Sequence, residues 1–321
     1  MREPRRVLAL MGLGCLLGLL PGTARAAPGA GQAEPWLFLP WDDAVGRIVG
    51  SEADSEGPKS FAVKPDGGVL LLDQVNLRVL NLDEDGGLLG TIDLPGSTFD
   101  DVEQYEGRAV LALDRLVAKT LLVMDMQGTH LAEVTLEGRG IERSGLITAL
   151  LPRKDGVWLE VRHRYSVKVL DSRLQPCERQ ILLGRPLEQG RSLHGALDGA
   201  GGVSLWTSRR NARSSLHSVT LSGQDPVRRI VWLDEDDLGA VYAVLHEALF
   251  AATSPYRVQD ERYQLVVLDE GLGELARLQS PWVLTSYDQR VELRVGPGRR
   301  LWQMAFVPDG VLLLRWDWRA P

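Results

Sequence analysis

Two stretches near opposite ends of the chain read almost alike. Ala62 to Leu72 is A-V-K-P-D-G-G-V-L-L-L, and Ala305 to Leu314 is A-F-V-P-D-G-V-L-L-L. Each is an apolar strand, a tight Pro-Asp-Gly turn and a second apolar strand. Gly and Asp suit such turns because one tolerates φ > 0 and the other bonds its own backbone. Between the two copies the same strand–turn–strand rhythm recurs in weaker form, the mark of a repeat architecture. Short apolar segments bounded by Gly, Asp and Pro, with scarcely any 3.6-residue periodicity, predict an all-β chain. A repeat that opens and nearly closes the chain predicts a ring of blades.

With four strands per blade labelled a to d from the ring centre outward, the turns set the register. The a–b turns are expected at Asp66-Gly67, Glu106-Gly107, Asp155-Gly156, Gly201-Gly202, near Glu247-Ala248, and at Asp309-Gly310. The c–d turns are expected at Asp85-Gly86, Gln127-Gly128, near Leu174, and at Gly223 and Gly271. The sixth a–b hairpin has no partner before the chain ends. At the other terminus Trp36 to Pro40, the turn Asp42-Asp43 and Val45 to Val49 read as a c–d hairpin without its own a–b pair. Joining the halves predicts a six-bladed β-propeller closed by pairing N- and C-terminal half-blades, with roughly 40–50 residues per blade. Closure removes the open sheet edges that invite aggregation. A seventh blade would need a further hairpin, for which Val291 to Val295 is the one available segment.

The best-preserved repeat, Gly57 to Gly86, carries Gly57, Pro58, Ala62, Val63, Asp66, Gly67, Asp73, Asn76, Arg78 and Val79 in the order G-P…A-V…D-G…D…N-x-R-V. It resembles the NHL-repeat family, specifically in this blade, partially in the sixth and in degenerate form in the middle four. The resemblance implies a six-bladed propeller serving as scaffold, binding module or enzyme. Fold alone does not choose among these.

Arg2, Arg5 and Arg6 precede an apolar run from Val7 to Leu20, and Ala24-Arg25-Ala26 follows as an A-x-A cleavage pattern. The run is shorter than the roughly 18 residues a bilayer span needs. Residues 1–26 therefore read as a secretory signal peptide, leaving 27–321 as one propeller domain exported to the periplasm or the extracellular space. No later stretch is long and apolar enough to span a membrane. Four of the 36 basic and one of the 43 acidic residues fall in the signal, which leaves 32 against 42, a net charge of −10. That balance argues against nucleic-acid binding. Only Cys177 remains after cleavage, so no internal disulfide can form.

Sequence motifs for chemistry are missing: there is no G-x-S-x-G, P-loop, H-E-x-x-H or C-x-x-C, so no cofactor and no metal is expected. Of five histidines, His194 at the start of the fourth a strand and His163 in the third b–c loop are placed toward the ring mouth. A metal-dependent propeller hydrolase or lyase, the alternative, would gather its ligands near His194, Asp101 and Glu103. Asp73, Asn76 and Arg78 read as a turn cap and a tie between loops.

Charge is more suggestive. The b–c loops carry Arg78, Arg115, Lys119, Arg162, Arg164, Arg209, Arg210, Arg213 and Arg257, whereas the d–a loops on the same face are acidic, with Asp100, Asp101 and Asp234 to Asp237. One reading pairs the two loop sets within the molecule. The other makes the arginines a rim for an anion or a partner, which the planar guanidinium suits. The candidate binding residues are Arg162, Arg164, Arg209, Arg210, Arg213 and Arg257, with Trp282 at the fifth d–a connection. The expected function is an exported, non-enzymatic binding or scaffold module for a protein or glycan partner.

Overall fold

The computed structural model describes residues 33–47, 57–210, 212, 214–251, 254–279, 291–316 and 318. The expected signal peptide, Arg213 and Trp282 lie outside the described residues, and for Arg257 only the backbone is described.

Six separate four-stranded antiparallel sheets make up the fold, at residues 60–93, 101–135, 147–183, 185–222, 227–279, and 293–316 together with 33–40. The chain is an all-β, six-bladed propeller whose described helices are single 3₁₀ turns. None is long and apolar enough to cross a membrane. The N-terminal strand Ala33–Pro40 is the outermost strand of the sixth blade, with Ala33 opposite Trp316 and Pro40 opposite Gly310. The ring therefore closes by pairing the two ends of the chain. Three strands come from the C-terminal side and one from the N-terminal side, rather than two from each. The expected second N-terminal strand does not form over 41–47. Asp42 instead takes a left-handed φ of 67°, and Gly46 N–H donates to Asp73 Oδ1 at 2.9 Å.

That division changes the meaning of the repeated phrase. Asp66-Gly67 joins the first two strands of its blade, whereas Asp309-Gly310 joins Arg300–Val307 to Gly310–Trp316, the second and third strands of the sixth. In an antiparallel meander successive turns alternate between faces, so the two phrases lie on opposite faces of the ring. Their glycines also differ. Gly67 supplies φ +87°, while a Cβ on Gly310 would sit 2.2 Å from the Leu39 carbonyl of the closing strand.

The same one-strand slip affects blades four and five. The fourth begins with a two-residue strand, Arg185–Pro186, so its a–b turn is Glu188–Gly190 and Gly201-Gly202 is a b–c turn. In the fifth the a–b turn falls at 236–240. Glu247 and Ala248 lie inside the strand Val241–Ala251, which pairs with the fifteen-residue Ser254–Leu268. Gly223 links the two blades. Leu293–Gly296 is the innermost strand of blade six, so the segment considered for a seventh blade begins the sixth.

Apolar packing lies between blades. Buried clusters join blades one and two, two and three, four and five, five and six, and six and one. The boundary between blades three and four is the exception among the described residues. Leu151, Trp158 and Leu182 form a small cluster confined to blade three. Polar contacts hold that boundary, and a cleft opens in it.

Candidate functional site

The cleft is lined by residues of blades three, four and five. In blade three, Gly156–Val161 and Tyr165–Asp171 are joined by Arg162, His163 and Arg164. Arg162 and His163 both adopt left-handed φ, at 55° and 54°, where Gly or Asn is the easier residue. Hydrogen bonds offset that strain. Arg162 N–H donates to Leu146 O at 2.9 Å, and His163 N–H donates to Thr148 Oγ1 at 3.2 Å. The His163 Nδ1 lies 3.0 Å from Glu160 Oε2.

Glu160 is the polar anchor. It is buried and accepts a two-point bond from Arg185, Nε at 3.0 Å and Nη2 at 2.9 Å, with Thr148 Oγ1 donating at 2.8 Å. Burial opposes its ionisation, but Arg185 and His163 outweigh burial and hold its carboxyl well below the usual carboxylate range. Glu160 and Arg185 therefore cross the boundary where apolar contacts are sparse.

Blades four and five supply the rest of the lining. His194 on Arg191–Leu197 pairs across the sheet with Trp206 on Gly202–Arg209, their rings stacked at 5.2 Å and 5°. The His194 Nε2 lies 3.1 Å from Ser192 Oγ and 3.0 Å from Ser208 Oγ, and burial pushes its pKa down. Gly184 must lack a side chain, because a Cβ there would sit 2.6 Å from His194 Nδ1. The resulting cavity is about 220 Å³, lined by the polar Glu160, His163, Arg164 and Arg185 and by the largely apolar Leu193, Trp206, Ile230 and Leu233.

Two of the expected binding residues meet here: Arg164 lines the cleft and Arg162 stands beside it, together with His163 and His194, which the sequence placed toward the ring mouth without assigning them to the binding site. Arg209 and Arg210 do not. Arg209 ends the third strand of blade four and Arg210 begins its connection to the fourth, a c–d turn on the opposite face rather than a b–c loop. The short Arg185–Pro186 strand is the reason, because one uncounted strand reverses the face of every later turn in its blade. Arg210 acts as a clamp between blades. Its Nη1 lies 2.5 Å from Asp155 Oδ2, its Nη2 donates to Leu187 O at 2.9 Å, and its guanidinium sits 5.1 Å over Trp158. Asp234 to Asp237 likewise belong to an a–b hairpin and not to a d–a loop. Glu160, Arg185 and Trp206 were not among the sequence candidates. Glu160 had a readable signal, a lone acid in the apolar run V-W-L-E-V of a central strand.

Several of the other acidic and basic loop residues pair with one another. Arg115 Nε meets Asp100 Oδ1 at 3.0 Å, and Arg78 Nε meets Asp73 Oδ2 at 2.8 Å. Asp101 and Glu103, on the innermost strand of blade two, are joined by Arg294, with Nη2–Oδ1 at 2.6 Å and Nε–Oε1 at 2.9 Å. Their counter-charge is thus an arginine, and His194 belongs to a different constellation. Among the described residues no group of three or more His, Cys, Asp or Glu could hold a metal ion.

Burial pushes the Glu103 carboxyl up to about 8 against the pull of Arg294, with Asp101 and Asp234 adding to the rise. Burial likewise pushes Asp100 up to about 6 against Arg115. In the unfolded chain both ionise near 4, so between about pH 4 and 8 the folded state holds the protons the unfolded state has lost. Stability should therefore fall as pH rises through this window. Urea midpoints measured at pH 5 and pH 8 are expected to decline for the native sequence and to decline less for Glu103→Gln. Parallel declines in the two proteins would contradict the assignment to Glu103.

No protein-family model matches the chain, and no curated protein is similar to it. The NHL resemblance therefore stays a property of the first blade. Among solved structures, the chain is similar to hydrazine synthase of Kuenenia stuttgartiensis at 12% identity and a TM-score of 0.51, over 81% of this chain and 80% of that one. It is also similar to a member of the DUF4221 family from Bacteroides vulgatus at 11% identity and a TM-score of 0.50, over 90% of this chain and 98% of that one. At such identities the likeness bears on the fold alone.

Proposed function

We propose that the protein is an exported, non-enzymatic binding propeller that holds a protein or glycan partner on its b–c loop face, at the cleft between blades three and four. One observation carries this reading. On that face Arg78, Arg115 and Lys119 are each spent on an acid within the molecule, at 2.8, 3.0 and 2.9 Å. Arg162 and Arg164 are exposed beside a concave cleft, with no ion pair among the described residues. An uncommitted guanidinium offers two parallel donors to a partner's carboxylate or sulfate without first breaking an internal bond. The strained Arg162-His163 backbone supports the same reading, since it presents two long polar side chains where a small residue fits more easily.

The test is capture of envelope proteins and glycans on the immobilised mature chain. Arg162→Ala combined with Arg164→Ala is expected to reduce capture about tenfold or more while leaving the unfolding midpoint in place. Arg209→Ala, on the opposite face, is expected to leave capture unchanged. Undiminished capture by the double variant would remove the proposal.

A further inference from the structure

We infer that the cleft seats a single carboxylate carried on a ring-sized apolar body. The inference rests on the loop face being the binding face, and it specifies what that face reads.

Charge sets the first half. Glu160 and Arg185 cancel within their two-point bond. His194 is held neutral by burial, and its Nε2 is occupied by the two serine hydroxyls. Arg164 is the lining guanidinium with no ion pair among the described residues, so it is the charge the cleft holds out to its occupant. A monoanion matches it. A dianionic phosphate would bring a second charge with no partner in a partly desolvated site.

Shape and polarity set the second half. The same cleft is lined by Leu193, Ile230, Leu233 and Trp206. Three of these four side chains carry no polar atom, so a sugar ring seated here would leave hydroxyls unsatisfied against them, and each such group costs roughly 1–3 kcal/mol. An apolar body meets that lining without loss. The cavity is about 220 Å³. A cavity of about 150 Å³ already holds a benzene ring, so this one takes a ring with a carboxylate attached. Two sources offer that chemistry: the C-terminal residue of a protein partner ending in an apolar side chain, or a free aromatic acid.

Calorimetric titration of the mature chain tests this with four probes. They are 3-phenylpropionate, its amide, and the peptide acetyl-Gly-Gly-Phe with a free or an amidated C-terminus. Both acids are expected to bind, each at least roughly tenfold tighter than its amide, because a charge-assisted contact is lost in the amide. Arg164→Gln is expected to erase that preference while the protein unfolds at its usual temperature. A peptide acid tighter than the free acid identifies a chain terminus as the source, and the reverse order identifies a small acid. Acids and amides that bind equally, or no binding by any probe, would overturn the inference. If that happens while the Arg162/Arg164 double variant still loses capture, the binding face stands and only its ligand chemistry is wrong.

Discussion

Replacing Arg294 by Ala is expected to lower the unfolding free energy by about 3–5 kcal/mol, the range for removing one partner of a buried ion pair. Arg294 and Asp101 are each under a tenth exposed at the side chain. The same guanidinium meets Glu103 and donates to Phe61 O at 2.8 Å and Ser60 Oγ at 3.2 Å. One side chain thus ties the innermost strands of blades six, one and two. Removing it leaves Asp101 without its counter-charge and strands buried acceptors such as Phe61 O. Arg139→Ala is the control. Its pair with Glu178 is exposed, so the change there should stay within about 0.5 kcal/mol. Urea unfolding of both variants decides the matter, and a loss below about 1 kcal/mol for Arg294→Ala would refute the central role assigned to it.

Glu160→Ala is expected to be comparably damaging, about 3–5 kcal/mol, because it strands the buried Arg185 at the boundary with the least apolar packing. The pH dependence separates this from a generic packing loss. The folded-state pKa of Glu160 lies below its unfolded value, so its contribution is fully present above about pH 4.5 and is lost as pH falls below that. The gap between the native protein and Glu160→Ala should be constant from pH 6 to 8 and narrow below pH 4.5. A gap independent of pH would assign the damage to lost volume instead.

Much of the ring was readable wherever turn chemistry is strict. Gly67, Gly86, Gly107, Gly128 and Gly156 all adopt positive φ at the turns expected of blades one to three. Such backbone conformations restrict the residue type, so they leave a mark in the sequence. The later blades broke the pattern for identifiable reasons. A two-residue strand containing Pro186 has no alternation to detect, and Glu247 sits buried within a continuous strand where the rhythm called for a turn. Each slip left the number of blades intact but exchanged the faces of the ring. Arg209 and Arg210 consequently read as companions of Arg162 and Arg164, although the ring separates them.

The all-β class, the six blades and the closure by the two chain ends were legible in the sequence, because turn residues and strand periodicity are local properties. Which arginines share a face and which of them are paired, that Asp101 and Glu103 answer to Arg294, and that Glu160 and Arg185 line a cleft emerge with the folded ring. Those facts depend on strand parity and on contacts between blades, where residues distant in the chain meet and compete for the same counter-charge.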